Sequence, residues 1–171
     1  MKKKLFVIVL IFLCFTNSCK KNDGSQESNE IVLISPDKKI ELGNKVSDLI
    51  NDINIALETN SVVSIDKIEY PHIEKGNYAI VSFKKEDGTV SNMIYSRFLF
   101  NLKAKKINFK KTDQKKLGQN YQIPTCYKFW CTPDGNCSNC QVLINDPFGN
   151  PTLQCSCEEC HLNGQQVQCP D

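Results

Sequence analysis

The sequence predicts an α+β fold: one helix packed on a small antiparallel sheet, followed by a small disulfide-rich C-terminal module of mostly irregular and β structure. Three observations carry this prediction. Apolar side chains recur at helical spacing between residues 46 and 57. Three β-rich runs follow between residues 62 and 100, with a turn sequence joining the second to the third. Eight cysteines then fall within the forty-four positions from Cys126 to Cys169. A helix with one apolar stripe and a sheet with one apolar face bury each other most simply as two layers.

The first eighteen residues open with Lys2, Lys3 and Lys4 and continue into an apolar run from Leu5 to Phe15. Eleven residues fall short of the roughly twenty that a membrane-spanning helix needs, so the run reads as a secretory signal. It closes on Ser18, directly before Cys19. A basic start, an apolar core and a small residue before a cysteine resemble a bacterial lipoprotein signal. Thr16 stands where that pattern usually has Leu, which keeps ordinary signal-peptidase cleavage as the alternative, and bulky Leu13 makes Cys14 the poorer cut site. The resemblance implies that 1–18 is a signal peptide and that Cys19 carries lipid as the first residue of a mature chain of 153 residues. It implies a cell-envelope protein held to a membrane by its lipid, and Lys20 after the cysteine points to the outer membrane. Removing three lysines, with the new terminus acylated, takes the formal charge from +2 to −1. That balance argues against a nucleic-acid partner.

Residues 19–30 continue as KKNDGSQESNE after the cysteine, a polar stretch without aromatics that reads as a flexible tether. From 31 to 118 the pattern is that of a folded domain. IVLI, the turn-like SPDKK and Ile40-Glu41-Leu42 suggest a short hairpin. Val46, Leu49, Ile50, Ile53, Ala56 and Leu57 then mark a helix, with Asn44 as its expected N-cap and Asn60 as its stop. Strands are expected over 62–70, 78–84 and 89–100, with Glu86-Asp87-Gly88 as the hairpin turn. The order of elements is similar to cystatin-like folds, a likeness of shape that transfers no function. The run 102–117 carries seven lysines against Asp113. It reads as an edge strand guarded by lysine, with Ile107 and Phe109 facing inward, rather than as a band that lies on anionic lipid. The segment downstream carries Asp134, Asp146, Glu158, Glu159 and Asp171 against Lys128, so the two parts are expected to attract each other. Gly118 to Thr125 is the expected joint, with the cysteine-rich module over 119–171.

Within that module Pro133, Gly135, Pro147, Gly149, Pro151 and Gly164 leave little room for long elements, and a stretch so short needs cross-links to stay folded. The spacing of Cys126, Cys131, Cys137, Cys140, Cys155, Cys157, Cys160 and Cys169 is C-x4-C-x5-C-x2-C-x14-C-x-C-x2-C-x8-C. Read as disulfides, eight cysteines allow roughly 105 connectivities, and the sequence chooses none. Cys155 and Cys157 project to one side of an extended segment and so are expected to have different partners. Tyr127, Phe129, Trp130, Val142, Leu143, Ile144, Phe148 and Leu153 are expected to form an apolar nucleus around the bridges. An exported chain meets thiol oxidants, which favours bridges. The alternative is zinc held by Cys137, Cys140, Cys157 and Cys160, two CxxC pairs separated by sixteen residues. A further alternative is c-type haem on Cys157, Cys160 and His161, since CEECH has the form of that attachment signal, with Met93 or His72 as the distal ligand. A thioredoxin-type redox pair is the weakest reading, because neither CxxC opens a helix.

No nucleophile elbow, phosphate loop or HExxH occurs, and the two histidines read as a solvated residue in a turn near Glu69 and Glu74 (His72) and a neighbour of a bridge (His161). The expectation is therefore a non-catalytic binding or interaction module without a cofactor. It would be anchored through Cys19 and present stapled loops to an envelope protein or a glycan.

Overall fold

Helix α1 (Val46–Leu57) forms where the apolar stripe predicts it. Leu49 and Ile53 are fully buried, and Val46, Ile50, Ala56 and Leu57 pack around them. Its caps differ from expectation. Extended Lys45, not Asn44, takes the N-cap position, with no side-chain hydrogen bond, while Asp48 supplies negative charge in the first turn. The helix stops before Asn60, at left-handed Glu58, where the Thr59 amide donates to Asn54 O at 2.9 Å. The Asn54 side chain both donates to Val62 O and accepts from Val62 N, tying the helix to the strand that follows.

The computed structural model describes residues 31–73, 76–110, 125–145 and 149–169. The signal-like segment 1–18, Cys19, the tether 19–30, Lys111, Lys115 and Lys116 of the basic run, most of the joint and Phe148 lie outside the described residues. The strands are β1 (Val62–Glu69), β2 (His72–Ile73), β3 (Gly76–Lys85), β4 (Val90–Ser96), β5 (Asn101–Leu102), β6 (Ile107–Lys110), β7 (Thr125–Thr132), β8 (Val142–Asn145), β9 (Thr152–Cys155) and β10 (His161–Gln168). The main sheet runs β1-β3-β4-β7-β10-β6, with β2 paired to β3; a second sheet runs β5-β9-β8. β3 and β4 form the expected hairpin, closed by Gly88 at φ 82° and by hydrogen bonds from the Lys85 amide to Thr89 O and from the Gly88 amide to Lys85 O. The third expected run breaks after Ser96, so 89–100 is β4 followed by a bend that leads into β5. The early hairpin is present as a bridge between Ile34 and Glu41, with the Ser35 hydroxyl accepting from the Lys39 and Ile40 amides.

Adjacent residues of a strand face opposite sides, and here each side has its own core. On one side α1 covers Val62, Ile65, Ala79, Val81, Phe83, Met93, Tyr95 and Trp130. On the other, the second sheet covers Tyr78, Ile94, Phe129, Cys131 and Leu162 with Val142, Leu153, Cys140 and Cys160. The result is three layers, more β-rich than a helix on a small sheet. The cysteine-rich stretch contributes β7 and β10 to the main sheet, so strands from before and after the expected joint share one sheet, and Ile31–Asp171 forms one compact unit.

The same alternation revises the expected nucleus. Phe129, Val142 and Leu153 are buried beside the bridges, and Tyr127 and Ile144 pack against them. Trp130, next to Phe129, points into the helix-side core instead, and Leu143 is exposed. At the lysine-guarded edge, Phe109 packs inward across Gly164, where a Cβ would stand 2.5 Å from the Phe109 ring. Ile107, on the same face as Phe109, is not packed as expected: it is 46% exposed at the first position of the strand.

Candidate functional site

Two constructions stand out: a charged cleft beside α1 and a cluster of two adjacent disulfides at the other side of the main sheet. The cleft has a volume of about 260 Å³ and lies between residues 39–43, the N-terminal half of α1, and the start of β7. Lys128 lies between Tyr127 and Phe129, both of which turn to the opposite core, so alternation sends its side chain to the helix side. Antiparallel register sets it directly across from Tyr95. Its side chain is only 14% exposed, and its ammonium group pairs with Asp52, one helical turn after Asp48 on α1. Tyr95 donates its hydroxyl to the other Asp52 oxygen at 2.9 Å, and the Lys128 ammonium stands 5.5 Å from the Tyr95 ring centroid.

Burial first, and then the Asp52 carboxylate, push the Tyr95 phenol well above its ordinary pKa, so Tyr95 stays a donor. These three groups satisfy one another. The rest of the lining is mixed: apolar Ile40, Leu42 and Val167, of which Ile40 and Leu42 are buried in the helix-side core, and charged Lys39, Glu41, Asp48 and Arg97. Arg97 is braced by donation to Lys39 O at 3.0 Å. Such a lining is chemically suited to a ligand with both apolar and charged parts.

The eight cysteines form four bridges: Cys126–Cys169, Cys131–Cys155, Cys137–Cys157 and Cys140–Cys160. Cys155 and Cys157 do have different partners. Cys126–Cys169 joins the start of β7 to the end of its neighbour β10, and Cys131–Cys155 joins the two sheets. The remaining two bridges lie side by side, and the Sγ atoms of Cys137, Cys157 and Cys160 are all within 4.8 Å of one another. Among the described residues this is the group whose donor atoms converge closely enough to hold a metal ion. The Cys160 amide donates to Cys157 O at 3.1 Å, making 157–160 a tight turn. Polar clamps fix the cluster to the main sheet: the Ser91 hydroxyl donates to Cys140 O at 2.7 Å, and Asn92 both donates to Val142 O and accepts from Val142 N.

Around the cluster, Lys105 pairs with Glu158 and Lys106 with Asp134, the attraction expected between the basic run and the acidic segment. Those contacts lower the Glu158 and Asp134 carboxyl pKa values; for each the lysine hydrogen bond is the main cause, and His161 adds to it at Asp134. His161 Nε2 lies 2.9 Å from Asp134 Oδ2. The residues of the haem reading thus have other partners: both sulfurs of CEECH are in bridges, His161 faces Asp134, and Met93 is buried under α1. His72 sits in β2 rather than a bare turn, with Nδ1 2.6 Å from Asn77 Oδ1.

Sequence reasoning missed the Asp52–Tyr95–Lys128 group, whose members come from three distant segments. The available signal was a lysine set among Tyr127, Phe129 and Trp130, since a cation in so apolar a strand needs a partner. Comparisons with protein-family models, with curated proteins and with solved structures found no match.

Proposed function

We propose that this chain is a membrane-anchored cell-envelope lipoprotein, lipidated at Cys19, whose folded body is a non-catalytic module that binds an envelope protein or a glycan. The observation that most supports this reading is the pairing of all eight cysteines from Cys126 to Cys169. Bridges in such number persist outside the reducing cytoplasm, which agrees with the export signal read at the N-terminus. The cleft beside Lys128 is the recognition surface in this reading. Its walls are held by the ladder between β4 and β7 and by Cys126–Cys169, so little order is lost when a partner docks. The test is Cys19→Ser followed by membrane fractionation: the variant is expected in the soluble fraction, and unchanged membrane association would refute the anchor. For the cleft, Arg97→Glu is expected to reduce capture of envelope components in a pull-down while leaving the fold intact.

A second reading has the four CxxC cysteines bind zinc in a reduced form, and the convergence of Cys137, Cys157 and Cys160 sulfurs favours it. Intact mass before and after reduction separates the two. Each bridge lowers the mass by two hydrogens, whereas zinc leaves thiols that react with alkylating agents after chelation.

A further inference from the structure

We propose that Cys137, Cys140, Cys157 and Cys160 form a thiol–disulfide exchange site that oxidises dithiols of partner proteins, using a Cys157–Cys160 bridge as its alternative pairing. This goes beyond the anchored binding module and does not depend on the anchor. Three observations combine. The outer bridge is the less enclosed of the two: Cys157 is half-buried, and Gly135, Asn136, Ser138 and Asn139 around Cys137 are exposed. The inner bridge is closed to solvent, with Cys140 3% and Cys160 1% exposed. Yet the Cys160 sulfur lies within 4.8 Å of both outer sulfurs, so a thiolate freed in the outer bridge reaches the inner one without solvent access.

The turn supplies the rest. A hydrogen bond from the Cys160 amide to Cys157 O closes residues 157–160, and a turn of this kind holds its first and fourth Cα atoms within about 7 Å. A disulfide spans up to about 6.8 Å between Cα atoms, so the turn brings Cys157 and Cys160 to about the spacing that the alternative bridge needs.

The exchange proceeds by displacement at sulfur. A partner thiolate attacks Cys137 Sγ; a mixed disulfide forms, the Cys137–Cys157 bond breaks, and Cys157 leaves as thiolate. Cys157 then attacks Cys160 Sγ, forming Cys157–Cys160 and releasing Cys140 as thiolate. The partner's second thiolate attacks its own sulfur in the mixed disulfide and releases Cys137. The partner dithiol loses two electrons and two protons to become a disulfide, and Cys137 and Cys140 take them up as thiols. Among the flanking acids, Lys105 offsets Glu158 and Lys106 offsets Asp134, while Glu159 accepts from the Asn136 amide. The arriving thiolate therefore faces less negative charge than CEEC suggests.

The test uses the exported chain and dithiothreitol as the dithiol, at one equivalent, followed by acid quench, unfolding, alkylation and peptide mapping. The expected result is label on Cys137 and Cys140, none on Cys157, and a Cys157–Cys160 bridge. Label on Cys137 and Cys157 with Cys140–Cys160 intact, or first reduction of any other pair, overturns the proposal. A second arm needs no reductant: in Cys137→Ser the free thiol among residues 126–169 is expected at Cys140, and a free thiol at Cys157 overturns the proposal. Retention of Cys126–Cys169 and Cys131–Cys155 in that map verifies the fold.

Discussion

Replacing Cys126 and Cys169 together with alanine cuts the covalent link between the start of β7 and the end of β10 and leaves neither partner behind as an unpaired thiol. The two residues are 43 apart in sequence, with Cα atoms 4.9 Å apart. A loop of that length, restricted in the unfolded chain, stabilises a fold by about 4 kcal/mol. Cys131–Cys155 already shortens the path, however. In the unfolded chain the route runs from Cys126 to Cys131, across that bridge, and on from Cys155 to Cys169, roughly 20 residues in all, which lowers the figure to about 3 kcal/mol. Cys169 is buried, and losing its sulfur removes packing on the order of 1 kcal/mol. The expected loss is about 3–5 kcal/mol, measured by urea unfolding of the oxidised protein with Trp130 fluorescence as the signal. The urea dependence should also steepen, because the freed unfolded chain exposes more surface. A loss below about 1 kcal/mol would refute the reasoning, since it would mean that this bridge does little to restrict the unfolded chain.

Gly164→Ala drives a Cβ into the Phe109 ring and is expected to cost about 1–3 kcal/mol. Phe109→Leu in the same chain should recover part of that loss, and strictly additive effects would contradict the contact. Asn92→Ala removes both hydrogen bonds to the Val142 backbone and is expected to cost about 1–3 kcal/mol, with faster hydrogen exchange at the Val142 amide; unchanged protection there would count against the clamp. The Asp37 carboxyl is lowered to a pKa of about 2, chiefly by the hydrogen bond from the Ser35 hydroxyl. Because the folded value lies below the unfolded value of about 3.9, the carboxylate supports the 33–42 hairpin above about pH 4 and loses that role as pH falls through about 2. An NMR titration of Asp37 should show this midpoint, and Ser35→Ala should raise it; a wild-type midpoint near 4 would contradict the assignment.

Elements whose burial is local were legible from the residues. The α1 stripe needs only 3.6-residue spacing, and β3 and β4 need only the turn at Glu86-Asp87-Gly88 between two β-rich runs. β10 was not legible, because HLNGQQVQ has no apolar alternation. Its place in the sheet comes from full pairing with β7, parallel pairing with β6, and the gap at Gly164 that admits Phe109. Trp130 was assigned to the wrong core, although the period of two already requires it to oppose Phe129. The caps of α1 were misread because Asn44 and Asn60 are locally suitable, whereas the chain path to Val62, fixed by Asn54, sets where the helix ends. At the candidate sites, the eight cysteines announced themselves by density, but their pairing depends on which strands are neighbours. Asp52 and Lys128 are 76 residues apart, and no local pattern joins them.

The most direct test is a disulfide map of the untreated protein, digested without reduction at low pH so that bridges cannot reshuffle. The account predicts four linked pairs: Cys126 with Cys169, Cys131 with Cys155, Cys137 with Cys157, and Cys140 with Cys160. Any other pairing in the untreated protein, or thiols at these positions that appear only after chelation, would contradict it.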